Sequence, residues 1–312
     1  SFSDALTGKP LHIHKVKSVY QMNIANFYFA RQLAEAKDMD IDYMALTQSL
    51  AYYMEEVCQF NDANKLYLAL ASWEVATGVF HQLGIIAEVR RDFVTAEAWY
   101  KKALTVFIEQ DNKYGVACIH HQLGRLAEEQ QDFKAAETWY KKALAVFEKQ
   151  VNKLNAAITY HQLGIIAEER RDFTTAEALY KKALAVFIEQ GEEHHAASTY
   201  HQLGVVAQEQ QDLTTAETWY KKALQIEKKQ KNELGMASTY YQMGMIAQER
   251  QNFATAEALY KKALAIEEKQ DNEGNKHSLA TTYYQLGILA EEQRDFATAE
   301  AWYKKALEIK EK

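Results

Sequence analysis

The residues with the clearest potential for chemistry are histidines and glutamines that recur at a fixed spacing. Four histidines each begin a His-Gln-Leu-Gly tetrapeptide and stand 40 residues apart: His81, His121, His161 and His201. Imidazole can act as a general acid or base, bind a metal ion, or change its charge near neutral pH. Side chains 40 positions apart meet only if the chain folds back on itself in register, so any shared chemistry depends on the intervening elements.

A catalytic or metal-binding role for these histidines finds little support in the sequence. One histidine per unit places the four side chains on successive elements, too far apart for one metal ion. The chain contains no GxxxxGK[ST] phosphate loop, no GxSxG nucleophile elbow and no HExxH zinc helix. We therefore predict that the protein is not an enzyme and needs no metal or other cofactor.

The intervening elements belong to a longer unit that is copied from about residue 73 onwards. The tetrapeptide glycines are separated by 40, 40, 40, 40 and 43 residues: Gly84, Gly124, Gly164, Gly204, Gly244 and Gly287. A fixed period between 20 and 50 residues indicates a repeat architecture. Apolar residues at helical spacing predict two amphipathic helices in one unit, over 154–170 and 173–190. Asp172 is placed to cap the second helix.

The period and the residue types resemble the tetratricopeptide repeat, a helix-turn-helix unit. In one unit the family's aromatic, apolar and small positions are occupied by Tyr160, Leu163, Gly164, Phe173, Ala176, Tyr180 and Ala183. The resemblance implies an all-α fold, a right-handed α-solenoid of stacked antiparallel helix pairs. With units longer than the family's roughly 34 residues, the chain is similar to the kinesin light chain subgroup. It departs from the family in having alanine at the large eleventh position and no proline after the second helix.

The repeat pattern also predicts the organisation of the chain. We expect a linker or arm over residues 1–15 and an N-terminal helical cap over 16–72, with a degenerate repeat at 43–72. Six repeats should follow, at 73–111, 112–151, 152–191, 192–231, 232–271 and 272–312. Because the chain begins with Ser1 and ends within the repeat pattern, we expect a longer native protein or an end that packs on another molecule.

Composition limits the classes of partner. The 36 basic and 43 acidic residues give a formal net charge of -7, which provides no general attraction for nucleic acid or an anionic membrane. No apolar run reaches the roughly 18 residues that a membrane span requires. Two cysteines, Cys58 and Cys118, in a chain of 312 residues fit a reducing compartment. We therefore expect a cytoplasmic protein without a nucleic-acid or membrane partner.

Each first helix carries a second stripe of residues, nearly opposite its core-facing stripe. In tetratricopeptide repeat proteins this stripe lines a concave groove in which extended peptides or partner surfaces bind. The residues that we expect to contact such a ligand are His81, Gln82, His121, Gln122, Arg125, His161, Gln162, Ile165, His201, Gln202, Val205, Tyr241, Gln242, Met245, Tyr284 and Gln285. A glutamine amide can both donate to and accept from a peptide backbone. The alternative, that recent duplication copied these residues without a function, remains open.

The charge of this stripe restricts the ligand. The family's clamp for an acidic carboxyl-terminal peptide requires several lysine, arginine and asparagine side chains. Only Arg125 is cationic among the expected ligand-binding residues, so we predict that no such clamp is present. The histidine row beside glutamates predicts a binding affinity that depends on pH near pH 6 to 7.

Two functions fit these features. Near-identical repeats of this type resemble the carboxyl-terminal arrays of bacterial STAND-type signalling proteins, in which the array senses a ligand. The leading interpretation is a non-enzymatic protein- or peptide-binding module, the ligand-sensing or scaffold part of a larger signalling protein. The alternative is a structural solenoid that self-associates through its carboxyl-terminal repeat, near Trp302, Tyr303, Leu307 and Ile309.

Overall fold

The protein is described by a computed structural model, which covers residues 47, 50–51, 54, 59–70, 77–270 and 273–310. All regular elements within these residues are α-helices. They are α1 (Phe60–Leu70), α2 (Thr77–Val89), α3 (Phe93–Glu109), α4 (Lys113–Glu129), α5 (Phe133–Lys149), α6 (Lys153–Glu169), α7 (Phe173–Gln190), α8 (Glu193–Glu209), α9 (Leu213–Gln230), α10 (Glu233–Glu249), α11 (Phe253–Glu267), α12 (Glu273–Glu292) and α13 (Phe296–Lys310). The arm predicted at 1–15 and most of the cap predicted at 16–72 lie outside the described residues.

The helices form pairs within two compact units, residues 1–146 and 147–312. In the first unit α2 packs on α3, and α1 and α4 pack on that pair. In the second unit the pairs are α6 with α7, α8 with α9, α10 with α11 and α12 with α13, and each second helix also packs on the next first helix. The predicted all-α stack of helix pairs is therefore confirmed.

Side-chain caps fix where the helices begin. The Asp172 carboxylate accepts a hydrogen bond from the backbone N–H of Thr175 at 3.1 Å, which satisfies one free donor at the start of α7. Just before it, Arg171 has a φ of 60°, and this left-handed residue reverses the chain between α6 and α7. The observed helices, Lys153–Glu169 and Phe173–Gln190, agree with the predicted ones to within one residue.

A tyrosine ring packed on a glycine forms the centre of each helix pair. Tyr220 is fully buried, and a Cβ built on Gly204 would lie 2.5 Å from its Cε1 atom. Only glycine leaves room for the ring to rest on the first helix. The same contact recurs in five further pairs: Gly84 with Tyr100, Gly124 with Tyr140, Gly164 with Tyr180, Gly244 with Tyr260 and Gly287 with Tyr303.

The residue near the end of each second helix that packs on the following first helix differs between repeats. In the first unit Phe107 packs directly on Gly115. At a later junction, within the second unit, the corresponding residue is Glu227, which is 4% exposed and accepts a hydrogen bond from Thr239 Oγ1 at 3.1 Å. Its Oε2 atom has no hydrogen-bond partner among the described residues. Burial raises the pKa of this carboxyl to about 7, so Glu227 is a costly group in its ionised form.

The tyrosine–glycine contact predicts the effect of a single added methyl group. We expect Gly204→Ala to lower the free energy of unfolding by about 1–3 kcal/mol, because the Cβ must displace the Tyr220 ring. This cost exceeds the gain of at most about 1 kcal/mol in helix propensity. Gly78→Ala is the matched control, since a Cβ there meets no atom within 4 Å. Chemical denaturation followed by circular dichroism measures both, and equal stability of the two variants would contradict this account of the core.

The buried carboxyl predicts a dependence of stability on pH. Because the pKa of Glu227 is about 7 when folded and about 4.3 when unfolded, stability falls as pH rises between these values. We expect Glu227→Phe to raise the free energy of unfolding by about 1–3 kcal/mol at pH 8, and by less near pH 5. Gly235 faces this position and leaves room for the ring, as Gly115 does for Phe107.

The exposed Glu233, on the next helix, provides the control for this measurement. Denaturation of the parent, Glu227→Phe and Glu233→Gln across pH 5 to 8 should show the pH-dependent gain in the first variant alone. A gain that is the same at every pH would show that the Glu227 carboxyl does not titrate in this range.

Candidate functional site

The predicted ligand-binding residues of the second unit lie on α6, α8, α10 and α12, the first helices of its four pairs. Side chains three and seven positions apart share one side of a helix. On each of these helices that spacing aligns a glutamine, an apolar residue and a glutamate. We call these residues the first-helix face: Gln162, Ile165, Glu169, Gln202, Val205, Glu209, Gln242, Met245, Glu249, Gln285, Ile288 and Glu292. Its glutamines and apolar residues are half-buried, and its glutamates are exposed.

The histidines lie at the inner edge of this face, against the core tyrosines. The rings of His161 and His201 are 5.2 and 5.3 Å from those of Tyr180 and Tyr220. Burial lowers the pKa of each imidazole to about 4, because the charged form loses its hydration. Both side chains are therefore neutral at pH 6 to 7, and the predicted pH switch in that range is wrong for them.

Threonines of the following first helix orient these imidazoles. Nδ1 of His161 lies 3.0 Å from Oγ1 of Thr199, whose hydroxyl donates to the backbone carbonyl of His195 at 2.7 Å. With its own hydrogen committed, the hydroxyl accepts the hydrogen of Nδ1. His201 makes the same contact with Thr239 at 3.1 Å. Nε2 of each ring therefore keeps a lone pair and can only accept a hydrogen bond.

Tyrosines replace the histidines on the last two first helices. The ring of Tyr241 is half-buried and lies 5.5 Å from that of Tyr260. Tyr284 lies 5.4 Å from Tyr303 but is 53% exposed. The inner edge of the face therefore becomes more aromatic towards α12, where the ring of Tyr284 is exposed.

The glutamines of the predicted row are not equivalent to one another. Gln285 Nε2 donates to Gln248 Oε1 at 2.9 Å. By contrast, the amides of Gln202 and Gln242 have no hydrogen-bond partner within the described residues. Two neighbouring helices, α8 and α10, thus present amides whose donors and acceptors are still available.

The predicted residues of the first unit bind mainly to one another. The Gln122 amide lies 3.3 Å from His81 Nε2, and Arg125 Nη2 lies 2.7 Å from Glu88 Oε1. Glu88 is 7% exposed and also accepts from Tyr100 Oη at 2.6 Å. The Arg125 charge is therefore balanced by a carboxylate of the same unit. The other predicted residues of this unit, Gln82 and His121, are half-buried.

Carboxylates line the outer edge of the first-helix face. Burial and the nearby Glu169 and Glu209 raise the pKa of Glu168, so these three groups lie close enough to repel one another. Amides join successive helices along this edge, because Gln208 donates to Glu249 and Gln248 donates to Glu292, both at 2.9 Å. Glu209, Glu249 and Glu292 are not among the ligand-binding residues predicted from the sequence. These three glutamates recur with the same period as the predicted glutamines, so the repeat pattern could have identified them.

Other kinds of site have little basis in the described part of the chain. Its histidine, cysteine, aspartate and glutamate residues form no group of three or more that is suited to hold a metal ion. Cys118 is half-buried, and burial raises the pKa of its thiol, which disfavours the reactive thiolate. None of the helices in these residues combines the length and apolar character of a membrane span.

Comparison with known proteins identifies the class. The sequence pattern of the tetratricopeptide repeat matches residues 75–149, 155–229 and 235–312. The chain belongs to the tetratricopeptide repeat family, whose members generally act as protein-interaction modules rather than as catalysts. No curated protein matches the chain in sequence.

Solved structures share the fold at low sequence identity. A Signal Transduction ATPase with Numerous Domains (STAND) protein with a tetratricopeptide repeat sensor, from Pyrococcus horikoshii, aligns with a TM-score of 0.74 and 14% identity over 94% of this chain and 46% of that chain. BtubC from P. vanneervenii aligns with a TM-score of 0.60 and 22% identity, over 71% and 90% of the two chains. A putative kinesin light chain with nearly identical repeats, from Podosopora anserina, aligns with a TM-score of 0.51 and 15% identity, over 61% and 93%.

These likenesses establish the fold and not the ligand. They confirm the predicted α-solenoid and the predicted resemblance to arrays of the kinesin light chain and STAND types. The chain spans just under half of the STAND protein that it matches, at 46%.

Proposed function

We propose that the protein is a non-enzymatic protein- or peptide-binding module that holds an extended segment across its first-helix face. The observation that carries this proposal is the pair of amides on Gln202 and Gln242, which have no hydrogen-bond partner in the described part of the chain. Each can donate to and accept from the backbone of a bound segment, whatever its side chains. The half-buried Val205 and Met245 stand beside these amides and supply apolar contact.

Hydrogen bonds alone do not provide a useful affinity. At about 0.5–1.5 kcal/mol for each net hydrogen bond, the two amides fall well short of the roughly 8 kcal/mol of a micromolar complex. A ligand must therefore also bury apolar surface on Val205 and Met245. The exposed ring of Tyr284 gives it a further contact, because aromatic side chains contribute strongly at interfaces.

We also propose that this module is the ligand-sensing or scaffold part of a larger signalling protein. The structural likeness to a STAND protein with a tetratricopeptide repeat sensor supports this role. A sensor of this kind needs a ligand-binding surface and no catalytic group of its own, and the first-helix face meets that requirement.

The proposed use of the two amides can be tested by a double substitution. We expect Gln202→Ala with Gln242→Ala to weaken binding of peptides selected from a displayed random library by roughly tenfold, through loss of hydrogen bonds to the ligand. Stability should change by less than about 0.5 kcal/mol, because neither amide has a partner among the residues that the structure describes. Isothermal titration calorimetry and thermal denaturation measure the two effects.

Gln190→Ala with Gln225→Ala is the matched control, since both glutamines are exposed on second helices. It should leave peptide affinity unchanged. Equal affinity of the parent and the Gln202, Gln242 variant would show that the ligand does not use this face.

A second function, self-association, is favoured by the surface of α13. Phe296 and Leu307 are 66% and 56% exposed, and they flank Ala299 and Tyr303 around one open pocket. The corresponding leucine of the preceding pair, Leu264, is only 6% exposed, because α12 packs on it. We propose that two copies of the protein cover this surface by packing their α13 helices together.

If the protein self-associates through α13, a charged residue introduced on that helix should disrupt the dimer. We expect Leu307→Glu to shift the protein from dimer to monomer in sedimentation velocity at tens of micromolar, because burying the carboxylate opposes the contact. Val94→Glu is the control, since Val94 is 81% exposed on α3, and it should not change the sedimentation coefficient. A parent protein that stays monomeric at these concentrations would exclude this function.

A further inference from the structure

The first-helix face carries charge of one sign. Each of its four helices ends in an exposed glutamate, and none of its twelve positions is lysine or arginine. Glu168 and Glu291 add further carboxylates, each one residue before a glutamate of the face. Among the described residues, the only cation that pairs with the glutamates of the face is Arg171. Its Nη2 atom lies 3.4 Å from Glu209 Oε2.

On the second helices of the same unit, by contrast, the glutamates are paired with cations. Their glutamates pair with lysines one turn later, as Glu177 does with Lys181 at 2.6 Å and Glu257 with Lys261 at 2.6 Å. The same repeat unit therefore neutralises the carboxylate on its second helix and leaves the one on its first helix largely without a cation. A partner that supplies positive charge complements the first-helix face and not the second helices.

The spacing of the carboxylates restricts how that positive charge is arranged. Neighbouring first helices touch directly, as the contacts from His161 to Thr199 and from His201 to Thr239 show. Packed helices have axes roughly 8–10 Å apart, and a segment in the polyproline II conformation advances about 3.1 Å per residue and returns every third side chain to the same side. One glutamate therefore meets about every third residue of a segment that crosses the helices.

We propose that the first-helix face binds an extended, polyproline-II-like protein segment that carries lysine or arginine at about every third residue, with apolar residues between. The basic side chains lie beside Glu169, Glu209, Glu249 and Glu292, and the intervening backbone meets Gln202 and Gln242. This inference rests on the proposed function, since it names the chemical class of ligand for that face.

Three fluorescein-labelled peptides of twelve residues test the proposal by fluorescence anisotropy. The first has lysine at every third position with alanine and proline between, the second has glutamate in place of lysine, and the third has the first composition with its lysines grouped at one end. We expect the first peptide to bind most tightly, and raising NaCl from 50 to 500 mM to weaken it by screening.

The variant for this test replaces all four glutamates, as Glu169→Gln, Glu209→Gln, Glu249→Gln and Glu292→Gln. It should bind the first peptide at least about tenfold more weakly, because four exposed charge pairs are lost. The control, Glu177→Gln, Glu217→Gln, Glu257→Gln and Glu300→Gln, makes the same change in net charge on the second helices and should retain affinity. Circular dichroism confirms that both variants are folded.

Each alternative outcome overturns the inference in a recognisable way. Equal weakening by both sets of substitutions would mean that the peptide responds only to the net charge of the protein. Tighter binding of the glutamate peptide, lost in the Gln202, Gln242 variant, would refute a basic ligand and leave the proposed function standing. Failure of all three peptides and of the displayed random library to bind would refute both.

Discussion

The structure depends on one contact, the tyrosine ring that lies on a glycine at the centre of each helix pair. In the second unit the Tyr180 ring rests on Gly164 and also lies 5.2 Å from the ring of His161. Its hydroxyl donates to Glu168 at 2.7 Å. One side chain thus sets the separation of two helices and fixes two residues beside the candidate ligand-binding face. The geometry of the face follows from the packing of the core beneath it.

The helices and their pairing could be predicted from the sequence because the relevant signals lie within one repeat. The cap at Asp172, the glycine at 164 and the tyrosine at 180 all fall within 17 residues of one another and recur in register. The partners of the face residues could not be predicted in this way. Gln202 and Gln285 occupy equivalent positions, yet only Gln285 is bound to a neighbouring side chain. That difference arises from contacts between repeats, which the pattern of a single repeat does not contain.

Residues at the junctions between repeats vary along the chain, whereas the core of each pair does not. The Phe187 ring stacks on His195 at 5.0 Å, and at the next junction Glu227 faces Gly235. At the junction after that, Ser278 Oγ donates to the carboxylate of Glu267 at 2.5 Å. The contacts at the junctions thus differ from one repeat to the next, while the contact at the centre of each pair is repeated. This is the behaviour of a linear array, in which a unit responds to its immediate neighbour.

The same linear arrangement explains how the fold tolerates a row of like charges. Two carboxylates about 10 Å apart in water repel each other by only ~0.4 kcal/mol, and salt reduces this further. Glu169, Glu209, Glu249 and Glu292 are exposed, so each repels only its immediate neighbours and remains hydrated. A cation placed between two of them interacts favourably with both at once, and its approach relieves their repulsion. The face is therefore stable without a ligand, and the proposed binding of a positively charged segment would relieve the repulsion between its carboxylates, as a reversible binding surface requires.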